Sequence, residues 1–279
     1  MRIKVYADKA AIWLILLAIS MFFIVPFVWT LITSVKINEE IYSARVIILP
    51  TVLSFMHYVN VVTKMQDFFA YTRNSAIITF WSVLGTVVFS SSTGYSFAKL
   101  RYFGQNFFLG FILLILTLPY AIYLIPIYLV ESRLDLINTR WGLILPYIAI
   151  NMPMAVFIMR GQFNNIPNDL MQAASIDGSS HFQTFMRIML PIAKPGVASV
   201  IILTFIAAWG EFLFARTLTN TTAAQTIAVG ITFLRDEASS WAYGTLSATI
   251  TLTLIPLLII FLSMQKYFIK GIMEGALKG

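Results

Sequence analysis

The sequence predicts an all-α integral membrane protein with about six transmembrane helices, and three observations predict it. Apolar residues make up 59% of the chain and charged residues 11%, whereas an ordinary soluble domain is about half apolar and a quarter charged. Six segments, at 11–34, 75–98, 107–130, 141–159, 196–218 and 243–265, lack charge or nearly lack it. Each reaches the length of about 20 residues that carries a helix across a hydrocarbon core of about 30 Å. With the N-terminus inside, eleven of the nineteen Lys and Arg residues fall on the inner side, beside only four acids, Asp8, Asp169, Asp177 and Glu274. That is the bias of cytoplasmic loops, and it puts both termini in the cytoplasm.

The first segment follows Arg2, Lys4 and Lys9. Its apolar run is too long for a signal peptide and no small-x-small site follows it, so it reads as an uncleaved spanning helix. Trp29, Trp141 and Trp241 fall at outer boundaries, where indole rings settle. In the second segment Ser90, Gly94 and Ala98 recur every four residues, a stripe of small side chains that admits a neighbouring helix closely. Pro119, Pro126, Pro146, Pro153 and Pro256 lie within spans, each removing a backbone donor and favouring a kink. Residues 35–74 form a long outer connection, turning near Pro50. Residues 219–242 form another, whose Thr219-Asn220-Thr221-Thr222 stretch has little means of burying a core. The whole chain, 1–279, reads as a single transmembrane domain.

The inner connection, 161–195, carries the densest pattern. Pro167 suits the first turn of a helix running through Leu170, Ala173, Ala174 and Ile176. Gly178 fits the left-handed position that ends one. Ser180 and Gln183 are spaced as a capping box that starts a second helix. Phe182, Phe185, Met186 and Met189 give that helix an apolar face, and Pro191 is read as its end. Lys194-Pro195-Gly196 turns the chain into the fifth span. The product is a cytoplasmic helix-turn-helix between spans four and five. By itself it is either an amphipathic hairpin resting on the bilayer or bundle, or a docking element that a partner approaches over Ala173 and Ala174.

Several chemistries are excluded. Without cysteine there are no disulfides, thiolate metal sites or thiol nucleophiles, and His57 and His181 are too far apart in sequence to suggest a metal site. The net charge of +7 comes with no basic run, so nucleic acid is not implied. No Lys is followed by Ser or Thr, so the phosphate-cradling loop of an ATPase is missing. An enzyme would need clustered His, Asp or Glu. An ion-coupled secondary transporter, the alternative function, places ionisable residues at the membrane midplane. Here five segments hold no charge and Glu211 is the acid within a span.

The string Gln172-Ala173-Ala174-x-x-x-Gly178, followed after nine residues by Ile188-x-Leu190-Pro191, resembles the EAA loop of permeases of binding-protein-dependent ABC importers. Asn74-Ser75, Trp209-Gly210-Glu211-Phe212-Leu213-Phe214-Ala215, and the ending Gln265-Lys266-Tyr267-Phe268-Ile269-Lys270-Gly271 with Gly275-Ala276-Leu277-Lys278-Gly279 resemble the carbohydrate branch, in particular the second permease of the maltose type. The resemblance implies an ATP-driven importer that moves a sugar or oligosaccharide by alternating access in a bacterial or archaeal plasma membrane. It implies a second permease as heterodimer partner, two ATP-binding subunits on which ATP and Mg2+ act, an external solute-binding protein, and no cofactor of the chain's own. It assigns ATPase coupling to Gln172, Ala173, Ala174, Asp177, Gly178, Ile188, Leu190 and Pro191, and delivery from the binding protein to loop 219–242. Two departures stand out: Gln172 replaces the family's Glu, and Gly210 replaces its Asn. Sugars are held by aromatic stacking and hydrogen bonds, which makes Tyr120, Tyr123, Tyr128, Tyr147, Asn151, Trp209 and Glu211 the candidate substrate pathway.

Overall fold

The computed structural model describes the backbone of residues 2–65, 67–234 and 243–276, and side chains over these ranges except at 2–8, 10, 11 and 268–276. Trp241, the terminal residues 277–279, and the side chains of Arg2, Lys4, Asp8, Lys270 and Glu274 lie outside the described residues. Among the described residues all regular structure is helical. The elements are α1 (Arg2–Ser34), α2 (Asn38–Ile41), α3 (Met56–Lys64), α4 (Phe68–Lys99), α5 (Gln105–Ile115), a 3-10 turn (Tyr120–Tyr123) and α6 (Leu124–Arg133). They continue with α7 (Trp141–Asn164), α8 (Asp169–Ile176), α9 (His181–Thr184), a π turn (Phe185–Met189), α10 (Leu190–Ile192), α11 (Lys194–Trp209), α12 (Leu213–Leu218), α13 (Ile227–Phe233) and α14 (Tyr243–Ala276). Four stretches, Ile12–Ser34, Phe68–Lys99, Trp141–Asn164 and Tyr243–Tyr267, are long and apolar enough to span a membrane alone. Two bent pairs, Gln105–Ile115 with Tyr120–Arg133 and His181–Ile192 with Lys194–Trp209, bring the number to six if each is one span.

The chain forms two compact units. The first joins 1–68 with 231–255. Within it the connection after α1 is tied down by its own side chains. The amide of Ser54 donates to the carbonyl of Val35 at 2.8 Å. Ser34 Oγ and Tyr58 OH pair at 2.8 Å. His57 is buried and its Nε2–H donates to the carbonyl of Lys36 at 2.9 Å. The ring fits because Gly244 has no side chain: a Cβ there would stand 2.1 Å from His57 Nε2. Glu40 accepts from both the amide and the hydroxyl of Thr51, and these bonds hold its carboxyl below the usual carboxylate range.

The second unit joins 69–230 with 256–279. Here α4 and α7 cross almost backbone to backbone. A Cβ on Gly94 would meet Met159 Cβ at 2.7 Å and the amide nitrogen of Arg160 at 2.9 Å, and one on Gly85 would meet Ile148 Cδ1 at 2.4 Å. Small residues let membrane helices pack by van der Waals contact over long lengths, as the stripe in this segment predicts. Leu143, Met159 and Phe163 of α7 and Val200 and Ile202 of α11 form the buried interior.

Two segments differ from the reading as straight spans. The third, expected at 107–130, bends by 99° at 116–119. Pro119 takes an extended conformation just before the 3-10 turn, since its ring and missing N–H cannot continue a helix. The second half then runs on to Arg133 and includes buried Glu131, so Glu211 is not the sole acid in these segments. The fifth, expected to run unbroken over 196–218, starts at Lys194, stops at Trp209 and resumes as α12 at Leu213. By contrast, Pro146, Pro153 and Pro256 stay inside α7 and α14.

Candidate functional site: a helical hairpin and an aromatic cleft

The hairpin α8 to α10 closes its backbone largely by itself. Gly178 has φ +76°, where a side chain is strained and glycine is not. The amide of Ser179 donates to the carbonyl of Ala174 at 2.9 Å and that of Gly178 to Ser175 at 3.1 Å, the pair of bonds that satisfies a helix C-terminus around a left-handed glycine. At the next helix the capping box is present: Ser180 Oγ accepts from the Gln183 amide, and Gln183 Oε1 accepts from the Ser180 amide. Pro167 lies outside α8, which starts at Asp169 after Asn168, whose side chain accepts from Lys99 and does not cap the helix. Pro191 sits one residue before the end of the second helix at Ile192, after which the chain bends by 75°. The chain widens into the π turn over Phe185–Met189 and passes through Pro191 to Ile192. A wider turn absorbs the bond that a proline N–H cannot make.

The two halves of the hairpin meet the bundle differently. Phe185 and Met189 are buried in a cluster with Tyr95, Met159, Phe163, Ile166 and Val200. The rings of Tyr95, Phe163 and Phe185 stack within 5.0–6.2 Å of each other. Phe182 and Met186, predicted on the same apolar face, are instead exposed. In α8 only Ala174 is buried. It packs inward, and Ala173, Gln172 and Asp177 remain on the open side. Ile188 and Leu190 are half-buried, and Pro191 is exposed.

A cleft of about 430 Å³ opens beside the break at Gly210 and gathers Tyr120, Tyr147, Asn151 and Glu211. Glu211 Oε1 accepts from the Phe214 amide at 2.9 Å. Its Oε2 accepts from the Ala215 amide at 2.9 Å and from Tyr147 OH at 2.6 Å. The carboxylate thus caps the first turn of α12, where negative charge is favoured, and fixes Tyr147 in the wall. Asn151 Nδ2 donates to the carbonyl of Tyr147 at 2.7 Å. Tyr120 is half-exposed and lies 6.0 Å from the ring of Phe214. Three other candidates lie off the cleft. Tyr123 OH donates to the carbonyl of Ile115 at 3.1 Å, Trp209 stacks on Phe205 at 5.6 Å, and Tyr128 is an exposed residue of α6.

Segment 219–230 differs most from its reading as a polar loop. Thr219, Ala224, Gln225, Thr226, Ile227 and Val229 are buried. Asn74 Nδ2 donates to the carbonyls of Thr222 and Gln225 at 2.9 and 3.0 Å. Ser75 Oγ accepts from the Ile227 amide at 2.8 Å, and Arg140 Nε donates to Asn74 Oδ1 at 3.0 Å. The one sequence signal for this clamp is the polar pair Asn74-Ser75 inside an apolar helix. Residues 235–242, the rest of the expected loop, lie outside the described residues.

An all-helical bundle broken at two proline-rich points, with a capped hairpin set between its fourth and fifth segments, defines a membrane transport component. The chain belongs to the family described as binding-protein-dependent transport system inner membrane component, matched over residues 87–274. It is 34% identical to the probable ABC transporter permease protein YurM of Bacillus subtilis, over all of this chain and 91% of that protein. It is 32% identical to the trehalose/maltose transport system permease protein MalG of Thermococcus litoralis, over 95% of this chain and 94% of that one. In fold it is similar to a chain in the crystal structure of a bacterial ABC transporter involved in import of the polysaccharide alginate, with a TM-score of 0.80 at 22% identity, covering 95% of this chain and 97% of that one.

Proposed function

We propose that this chain is the membrane-spanning subunit of an ATP-driven importer for a sugar or oligosaccharide. It works with a second permease subunit, two ATP-binding subunits that perform the hydrolysis, and an external solute-binding protein. The observation that carries the proposal is the hairpin. Its backbone is satisfied internally, its second helix is anchored by Phe185 and Met189 in the bundle, and its first helix offers Gln172, Ala173 and Asp177 outward. A movement imposed on α8 therefore reaches α4, α7 and α11 through a packed core. That suits rigid-body alternating access, with ATP closure of the partner subunits supplying the movement. The relatives named above are themselves permeases, one of them for trehalose and maltose, and an ion-coupled carrier finds no support among them.

In this reading the hairpin and both termini face the cytoplasm of a bacterial or archaeal cell. The solute path runs by the cleft at the α11–α12 break. Tyr120 and Asn151 offer an open ring face and an amide oxygen to a sugar, while Glu211 and Tyr147 shape the wall. Right-side-out vesicles holding the assembled complex test the proposal. Uptake of a labelled oligosaccharide is expected only with ATP inside and binding protein outside, and it stops when the partner ATPase is inactivated. Uptake that follows an ion gradient with the ATPase inactive overturns it.

A further inference from the structure

We propose that the turn between α4 and α5 is a binding site for the phosphate headgroup of an anionic phospholipid, with the hairpin's first helix forming its far wall. The site is a polar cleft of about 380 Å³ whose lining includes Lys99, Arg101, Gln105, Asn168 and Gln172. That lining holds two cations and no carboxylate. The Lys99 ammonium donates to the carbonyl of Ile166 at 2.6 Å and to Asn168 Oδ1 at 2.7 Å, which fixes its place and leaves one N–H unspent. The Arg101 guanidinium is exposed and has no hydrogen-bond or ion-pair partner among the described residues. Gln105 Nε2 donates to the carbonyl of Phe97 at 2.7 Å, holding a second amide beside the cations. Gln172 adds a neutral amide, so no carboxylate stands opposite the two basic side chains.

Position decides what the anion is. Residues 100–104 join the end of one membrane-spanning helix to the start of the next apolar segment, so the cleft lies where hydrocarbon meets headgroups. In the chain just after Arg101, Phe103 is fully exposed, and Phe107 and Phe108 at the start of α5 are 73% and 53% exposed. Three open rings within seven positions of Arg101 match a lipid, with acyl chains over the rings and a phosphodiester taking the planar fork of the Arg. An acidic segment of a partner protein would meet the same charges, but at this edge of the apolar segment the rings face hydrocarbon, which a lipid occupies and a polar peptide does not. The inference requires only that the chain spans a membrane, and it stands apart from the identity of the solute.

The test is native mass spectrometry of the full chain, released from vesicles of equal phosphatidylglycerol and phosphatidylcholine. One phosphatidylglycerol is expected to persist on each chain. Arg101→Gln, which breaks no internal bond, lowers its retention about fivefold, the factor expected for one basic residue at an anionic surface. Gln172→Glu lowers it as well, by placing a carboxylate in the lining, whereas Arg45→Gln in the other unit leaves it unchanged. Phe103→Ser separates the sources of phosphate: it weakens lipid retention and leaves any binding of inorganic phosphate alone. Equal retention of the two lipids, or retention untouched by Arg101→Gln, overturns the proposal. So does free phosphate that displaces the lipid while Phe103→Ser has no effect. Capture of an ATPase subunit that falls with Arg101→Gln while lipid retention holds gives the cleft to a protein and overturns it too.

Discussion

Two connections of the second unit, the hairpin at 169–192 and the segment at 219–230, both look in sequence like polar breaks between apolar spans. They fold by opposite means. The hairpin satisfies its backbone with its own residues, through Gly178 at one helix end and Ser180 with Gln183 at the next start. The later segment borrows its partners from far away in the chain, from Asn74 and Ser75. Every buried backbone group needs a partner, and the source of the partner decides how free a segment remains. A self-satisfied hairpin can present one side to the outside. A segment whose carbonyls end on another helix becomes part of the bundle.

Substitutions at four positions sharpen that contrast, from the largest effect to the smallest. Phe185→Ala removes the ring that ties the hairpin to Tyr95 and Phe163, and truncating a buried Phe costs about 3–5 kcal/mol. Thermal unfolding in detergent should fall by several degrees; an unchanged midpoint would mean that the hairpin is not anchored there. Asn74→Ala strands the carbonyls of Thr222 and Gln225, each at about 1–3 kcal/mol. Protease cleavage within 219–230 should rise, and replacing 221–226 with a Gly/Ser linker should destabilise the fold likewise, which a solvated linker would not do.

Gly178→Val has a different character. Nothing lies within 4 Å of where its side chain would begin, so the cost is backbone strain of about 1–3 kcal/mol and not a clash. Membrane insertion should be normal while pull-down of the ATPase subunit weakens. Full pull-down would reject the role given to the turn. Gln172→Ala is the mildest, at about 0.5–1.5 kcal/mol for one neutral hydrogen bond. Gln172→Glu should keep transport; loss of transport would reveal a socket that refuses negative charge.

Local patterns in the sequence translated well into structure. The left-handed Gly178 and the capping box each involve residues within a few positions of one another, so spacing alone exposes them. The close approach at Gly94 was legible as a stripe, although its partner, Met159, was not. What sequence spacing hid was long-range or competitive. Asn74 meets carbonyls 148 and 151 positions away, and no periodicity encodes that. Pro191 marked the helix end to within one residue, but the π turn before it was not legible. Ala174 looked available to a partner until the fold buried it. Glu211 looked like a solute ligand, and both its oxygens are committed to holding α12 and Tyr147.

The two glycines carry a consequence for mutation. Every single-base change of a glycine codon that alters the residue adds a Cβ. At Gly94 every such neighbour collides with the backbone of α7, so the position has no viable one-step variant. At Gly178 the space is open, and Asp is a replacement that tolerates left-handed backbone better than most. Random mutagenesis with selection for transport should therefore return no substitution at codon 94 and a restricted set at codon 178.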